Sequence, residues 1–234
     1  MANNYMVLPS SNVIGLLKFS PTQIGPGLTI KDGGLQAYRA GVLMCSTKNH
    51  SAWIETAGGR YVPAAEEGVI GQVTAKHAEG YRVDIGSAQP AQLGQFAFEN
   101  ATKKNRPVLS VGDLVYARVS LANKYMDPEL ECTDKGSGLA AGFGGLKGGY
   151  MIKVSLGMAR RLLEPSCPVL GALGAQIPFE TAIGRNGRVW INSGDVGVTC
   201  MIARTIQESE YLTLEEQIAL ARKAISTLKD RGST

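Results

Sequence analysis

Histidine is nearly missing from this 234-residue chain, with His50 and His77 its two examples. The four cysteines, Cys45, Cys132, Cys167 and Cys200, stand far apart with no C-x-x-C pair. No zinc-ligand spacing can be built from these, no other metal or cofactor site is expected, and the thiols read as reduced groups of an intracellular protein. Nowhere do 18 apolar residues follow one another, so no membrane span is expected. The start, MANNYMVLPSSNVIGLLKFS, lacks the basic opening and apolar core of a secretory signal. Long Lys/Arg runs are absent too. The net charge of +4 is dispersed as +3 over residues 1–62, −2 over 63–145 and +3 over 146–234. That rules out a grip on nucleic acid by counterion release alone, but leaves room for a weak, distributed surface.

Catalytic constellations are equally scarce. The glycine-rich stretch KGSGLAAGFGGLKGGY (135–150) lacks the Gly-Lys-Ser/Thr ending of a phosphate loop, and a strand follows it rather than a helix. It reads as a flexible interdomain loop. Asp127, Glu129, Glu131 and Asp134 crowd together in DPELECTD, the pattern a metal-dependent ribonuclease would need. Glu129 and Glu131, however, alternate with Leu130 and Cys132 as solvated strand residues do. A stand-alone ribonuclease using Asp127 and Glu129 is the enzymatic alternative, and a free translation-type RNA-binding protein is another. No Ser/His/Asp spacing supports nucleophilic catalysis.

What the chain does have is glycine, 29 residues of it, with many short Val- and Ile-rich runs, which favours strands and turns. Three segments follow: a small N-terminal β domain (1–62), a barrel (63–145) and an α/β half (146–234). In the first, NVIGLLKF, YRAGVLMC and SAWIET read as strands around the loop GPGLTIKDGG. In the second, GVIGQVTAKH pairs with YRVDIG across AEG, and GDLVYARVSLAN alternates Val115, Ala117, Val119 and Leu121 with Leu114, Tyr116 and Arg118. About five such strands fit a Greek-key barrel of the OB kind. In the third, YMIKVSL is a strand and GMARRLLE a helix halted before Pro165. Val198, Met201, Ile202 and Ile206 have helical spacing. Thr213 with Glu216 forms a capping box before the stripe Leu214, Ile218, Ala221, Ile225 and Leu228.

An OB barrel stacks bases on exposed aromatics inside a positive groove. Tyr81, Phe96 and Phe98 are the aromatic candidates, with the two Phe equally able to fill the barrel. Lys76, Arg82, Lys103, Lys104, Arg106, Arg118 and Lys124 are the phosphate candidates. The motif IGRNGRVWI (183–191) poses a separate question. It is either the glycine loop of a KH module, holding an RNA backbone, or an Asn-Gly hairpin turn.

The run from GVIGQVTAKHAEGYRVDIG through GDLVYARV and ANKYMDPELECTD to LGMARRLL and G-x-N-G resembles the S1/KH cap subunits of the RNA exosome, a family with two sister types. The resemblance implies a mixed β and α/β architecture of N-terminal β domain, S1-type OB barrel and KH-type domain. It implies a non-catalytic subunit that binds single-stranded RNA, sits with other cap subunits on a ring of ribonuclease-PH-like subunits, and guides RNA to a separate 3′→5′ exoribonuclease. Residence in the nucleus and nucleolus, and also the cytoplasm, goes with it. Two departures qualify the site residues. Where S1-type domains often carry flanking aromatics, Gly80 here follows Glu79, and Arg82 replaces the second aromatic. And Gly187 is followed by RVWIN, which reads as a strand, so the loop has no helix N-terminus to offer phosphate. Gly184, Asn186 and Gly187 are therefore expected to be structural, a turn packed on the barrel.

Overall fold

The computed structural model describes residues 5–231 apart from 18, 57, 103, 106 and 166. It divides into two compact units, residues 1–59 and 60–234.

The first unit contains β1 (Tyr5–Val7), β2 (Gln23–Ile24), β3 (Leu28–Lys31), β4 (Gly34–Ala37), β5 (Gly41–Ser46) and β6 (Ser51–Glu55). A four-stranded sheet runs β1-β5-β6-β2, and β3 pairs with β4 as a separate hairpin. Val7, Val13, Leu28, Leu35, Leu43 and Ile54 are buried between them. The run NVIGLLKF, expected as a strand, forms instead a single 3-10 turn over Ile14–Leu16. The Asn12 side-chain oxygen accepts from the Ile14 N–H at 3.0 Å, satisfying locally the donor that a strand would offer to a neighbour.

The second unit opens with a barrel: β7 (Gly68–Lys76), β8 (Gly80–Asp84), β9 (Ala91–Phe98), β10 (Leu114–Leu121) and β11 (Glu129–Cys132). Antiparallel pairing runs β9-β8-β7-β10. The barrel closes because β11 pairs antiparallel with β10 and parallel with β9. Period-2 alternation fills the interior: Val69, Val73, Val83, Ile85, Leu93, Val115 and Val119 are all buried in one cluster. The stretch 135–150 is not a loose connector. It contributes β12 (Gly144–Leu146), which extends the sheet beside β10, and Phe143 stacks on Tyr116 with ring centroids 4.9 Å apart.

After β12 come β13 (Tyr150–Lys153), α1 (Leu156–Leu162), α2 (Pro168–Gly174), β14 (Glu180–Gly184), β15 (Arg188–Asn192), α3 (Val196–Glu208) and α4 (Leu214–Arg231). The antiparallel sheet β13-β15-β14 carries the helices on one face over a core of Ile152, Met158, Leu162, Val189, Ile191 and Ile202. Ser155 caps α1 and Asp195 caps α3 by accepting backbone N–H bonds. Glu216 reaches back to the Thr213 N–H at 2.9 Å, half of the expected capping box. The apolar stripe of α4 faces inward at Ile218, Ala221, Ile225 and Leu228 and departs from expectation at its first residue. Leu214 is exposed, and Gln217 is buried with Ala221 and Ile225, its amide donating to the Ser209 and Leu212 carbonyls.

The other face of this sheet is not bare. Ala182 and Trp190 pack with Ile70 of the barrel, bordered by Leu114, Tyr116 and Leu146. The hairpin β14–β15 turns there through Gly187, whose φ of +76° and lack of Cβ allow it to lie against the Val154 carbonyl, which a Cβ would approach to 2.5 Å. Gly187→Val is accordingly expected to cost on the order of 1–3 kcal/mol, read as a lower midpoint in urea or thermal unfolding.

Candidate nucleic-acid interface

The hairpin turn explains where an RNA site is not. Asn186 is 8% exposed, and its amide is inserted into the barrel sheet. The side-chain oxygen accepts from the Ile70 N–H at 3.2 Å, and the NH2 group donates to the Ile70 and Ile85 carbonyls at 2.8 and 2.9 Å. The bonds to Ile70 take the place of pairings that a neighbouring strand would otherwise make on that edge of β7. Gly184 lies so close to Ile70 that a Cβ would sit 2.7 Å from its backbone nitrogen. The Arg185 N–H donates to the Gly68 carbonyl at 2.9 Å, and its guanidinium lies 3.6 Å from Glu67.

Arg188, on the next strand, donates from Nη1 to the Asp84 carbonyl and from Nη2 to its carboxylate, both at 2.6 Å. Burial works against the charge of Asp84. The hydrogen bonds from Arg188 and the Gly86 N–H, with the charges of Arg188 and Lys153, together outweigh it and hold the carboxyl below its ordinary 3.8.

Where a KH module would carry its glycine loop, between α1 and α2, residues 163–167 contain no glycine. The seven-residue α2 begins with Pro168, which has no N–H to offer. G-x-N-G lies instead in the β14–β15 hairpin, facing the barrel.

The exposed face of the barrel is built differently. A groove of about 840 Å³ crosses β8, β9 and β11, lined among others by His77, Glu79, Arg82, Gln92, Phe96 and Glu129. Phe96, 56% exposed, points outward, whereas Phe98 fills the barrel. Among the described residues of this lining, Arg82 is the one arginine or lysine, set against Glu79, Glu129 and Glu131. The groove is therefore suited to uncharged, flat groups more than to phosphate.

Two sequence candidates have other duties. Tyr81 is only 3% exposed and belongs to the barrel core, because its side chain alternates inward with Val83. It cannot stack a base. Its hydroxyl donates to the Pro107 carbonyl at 3.3 Å and accepts from the Leu109 N–H at 3.2 Å, tying down the end of the loop that carries Lys104. Arg118, 7% exposed, is not a free phosphate contact. It donates to both oxygens of Glu66 at 3.1 Å, to Glu131 and to the Thr133 carbonyl. A guanidinium buried among two carboxylates is held there by its partners.

Lys76, Arg82, Lys104 and Lys124 remain exposed. Lys76 lies over the Tyr81 ring at 5.9 Å and Lys124 over Tyr125 at 5.8 Å. Lys103 and Arg106 lie outside the described residues. The acids of 127–134 do not converge: Asp127 accepts from Gln92, Glu131 pairs with Arg118, and Asp134 caps the turn at Gly136 and Ser137. No group of three His, Cys, Asp or Glu suited to a metal occurs among the described residues. Burial pushes the Cys132 thiol up to about 12, leaving it protonated and unreactive. Sequence reading missed Arg188 and Gln92. Their roles depend on which strand lies across from them, which no local pattern reveals.

Residues 61–144 match the family described as exosome complex component RRP40, S1 domain, and residues 149–197 match the KH domain. The chain is 48% identical over 211 residues to exosome complex component rrp40 of Schizosaccharomyces pombe, covering 88% of each. It is 40% identical over 198 residues to RRP40 of Saccharomyces cerevisiae, covering 81% of this chain and 82% of that one. To Rrp4 of Pyrococcus furiosus it is 25% identical over 243 residues, covering 98% and 87%. A solved crystal structure of 22% identity shares the fold with a TM-score of 0.59, covering 72% of this chain and 99% of its own.

Two outcomes are expected of the joint. Asn186→Leu, which strands the Ile70 N–H and the Ile85 carbonyl and leaves the Ile70 carbonyl only a 3.4 Å bond from Arg188, lowers stability by about 2 kcal/mol or more in urea unfolding. Asp84 has a depressed folded pKa, so its contribution is complete above 3.8 and drains as pH falls through the lower folded value. Asp84→Asn should flatten the acid limb of stability against pH in that window.

Proposed function

This chain belongs to the RRP40 family of exosome complex components, and on that footing we propose that it is a non-catalytic, RNA-binding cap subunit of an exosome. In this reading it braces a ring of ribonuclease-PH-like subunits beside other cap subunits and guides single-stranded RNA to a separate 3′→5′ exoribonuclease. It would act wherever the assembly does, in the nucleus and nucleolus and in the cytoplasm. The observation that carries the reading is the division of labour in the second unit. The G-x-N-G turn is sealed against the barrel, and the barrel keeps an open groove with Phe96 and Arg82 at its surface.

Weakness of the individual contacts suits this role. Each exposed base or cation contributes on the order of 1 kcal/mol, and contacts of that size combine when neighbouring subunits hold the RNA at high local concentration. A non-catalytic role is supported by the separate engagements of Asp127, Glu131 and Asp134. The RRP40 sister type is favoured over the Rrp4 type by the higher identity and by the S1-domain match.

Arg82→Glu combined with Lys104→Glu should weaken RNA crosslinking in the assembled complex and leave the melting temperature unchanged. Each lost phosphate contact should lower the log–log salt slope of binding by about 0.7. Unchanged crosslinking would remove these side chains from the RNA path. Separately, 3′-labelled RNA incubated with the purified chain and magnesium should stay intact. Sustained cleavage, abolished by Asp127→Asn with Glu129→Gln, would instead make the chain a nuclease.

A further inference from the structure

The joint between the hairpin and the barrel is built on a chemically reactive dipeptide. Asn186-Gly187 is the one Asn-Gly pair in the chain, and the fold requires both members. Position 186 must present an acceptor and two donors to Ile70 and Ile85. Position 187 must adopt a φ of +76° and leave the Val154 carbonyl room. That pairing brings its own chemistry. The Gly187 nitrogen, unscreened by a β-carbon, attacks Cγ of Asn186 and gives its proton to hydroxide as the N–C bond forms. The Cγ–Nδ2 bond breaks, ammonia leaves with a proton taken from water, and a succinimide remains. Water then opens the ring at either carbonyl, giving aspartate or isoaspartate without oxidation or reduction. In the closed joint the reacting groups are occupied. The Gly187 N–H donates to the Gly184 carbonyl at 3.1 Å. Nδ2 of Asn186 is held by the Ile70 and Ile85 carbonyls, and Oδ1 by the Ile70 N–H. Ring closure would turn the side chain back onto its own main chain and give up all three bonds, at a residue only 8% exposed.

We propose that Asn186-Gly187 is a modification site gated by the joint: it deamidates only while the hairpin is lifted off the barrel, and deamidation makes that opening permanent. The rate of the reaction then follows the fraction of time the joint spends open. An aspartate at 186 keeps an acceptor for the Ile70 N–H but has no donor. Its charge is set against the Ile70 and Ile85 carbonyls, which lose their partners. The Arg188 guanidinium, which bonds the same Ile70 carbonyl at 3.4 Å, is already paired with the Asp84 carboxylate. Isoaspartate goes further, because it adds a methylene to the main chain in a turn that Gly184 and Gly187 bring close against neighbouring backbone. A brief opening is thereby converted into a lasting one, and the chain keeps a covalent record of it. This chemistry is independent of RNA, so its test shares no outcome with that of the RNA-guiding role.

The test incubates the full chain at mildly alkaline pH, folded and unfolded in guanidinium, then digests it with pepsin in acid, where ring closure is slow. Mass spectrometry of the peptides containing Asn186 scores the conversion of amide to acid. Conversion in the folded chain should be slower by about a hundredfold or more, since only the open fraction reacts. Two folded variants separate the joint from the rest of the fold. Asp84→Asn, which removes the ion pair to Arg188, should speed conversion by about fivefold or more. Ile225→Val, in the core beneath α4, should leave it unchanged. Finally, Asn186→Asp should unfold at lower denaturant and exchange its Ile70 amide hydrogen faster than the unmodified chain. Equal rates in the folded and unfolded chain would overturn the gating. Equal acceleration by Asp84→Asn and Ile225→Val would tie the reaction to unfolding of the helical half and overturn it as well. Unchanged stability and Ile70 exchange in Asn186→Asp would overturn the permanence of the opening.

Discussion

A primary amide can mimic one residue of a β-ladder, offering a donor and an acceptor in the plane that a strand would use. Asn186 does this from the tip of a hairpin, bonding to Ile70 and Ile85 across a distance of more than a hundred residues in sequence. Everything around it follows from that insertion. Gly184 and Gly187 lack side chains so that the turn can come close, and Arg188 reaches past the amide to Asp84. Trp190 and Ile70 then exclude water from the contact. The motif that would hold a nucleic-acid backbone in a KH module here holds the backbone of its own neighbour.

The barrel face carries the complementary constraint. Its cations are fewer than the sequence suggests, because Arg118 is enclosed by Glu66 and Glu131. Such a cluster contributes little net stability, but removing both carboxylates would leave the Arg118 guanidinium buried without a counter-charge. Enclosing Arg118 also leaves Glu129 and Glu79 unopposed on the groove side apart from Arg82. The groove surface is accordingly one of side-chain amides and the Phe96 ring, with Arg82 its one arginine or lysine among the described lining residues.

Much of this was legible from the chain itself. Alternation in GVIGQVTAKH, YRVDIG and GDLVYARV pointed to the barrel, since a strand with one buried face repeats every two residues. The β-branched run after Gly187 pointed to a hairpin rather than a helix start. Other features were hidden for physical reasons. Tyr81 was read as a surface aromatic although its period-2 partners Val83 and Ile85 face inward, and the alternation itself was the signal for burial. Arg118 sits on the face opposite the core residues, where a cation normally meets water. Only the pairing of Arg118 with Glu131 across two strands shows otherwise. Residues 135–150 looked loose because glycine is abundant there, yet three of them complete a sheet edge. Composition cannot distinguish glycines that allow motion from glycines that allow close approach.

Between β12, hydrogen-bonded to the barrel, and β13, hydrogen-bonded to β15, the chain has only residues 147–149. With that short tether, the Asn186 insertion, the Arg188–Asp84 ion pair and the packing of Trp190 on Ile70, the two halves of the second unit are fastened through several contacts at once. Any surface that grips the helical half thereby dictates the bearing of the groove. Aim, in this molecule, is a matter of carpentry rather than of hinges.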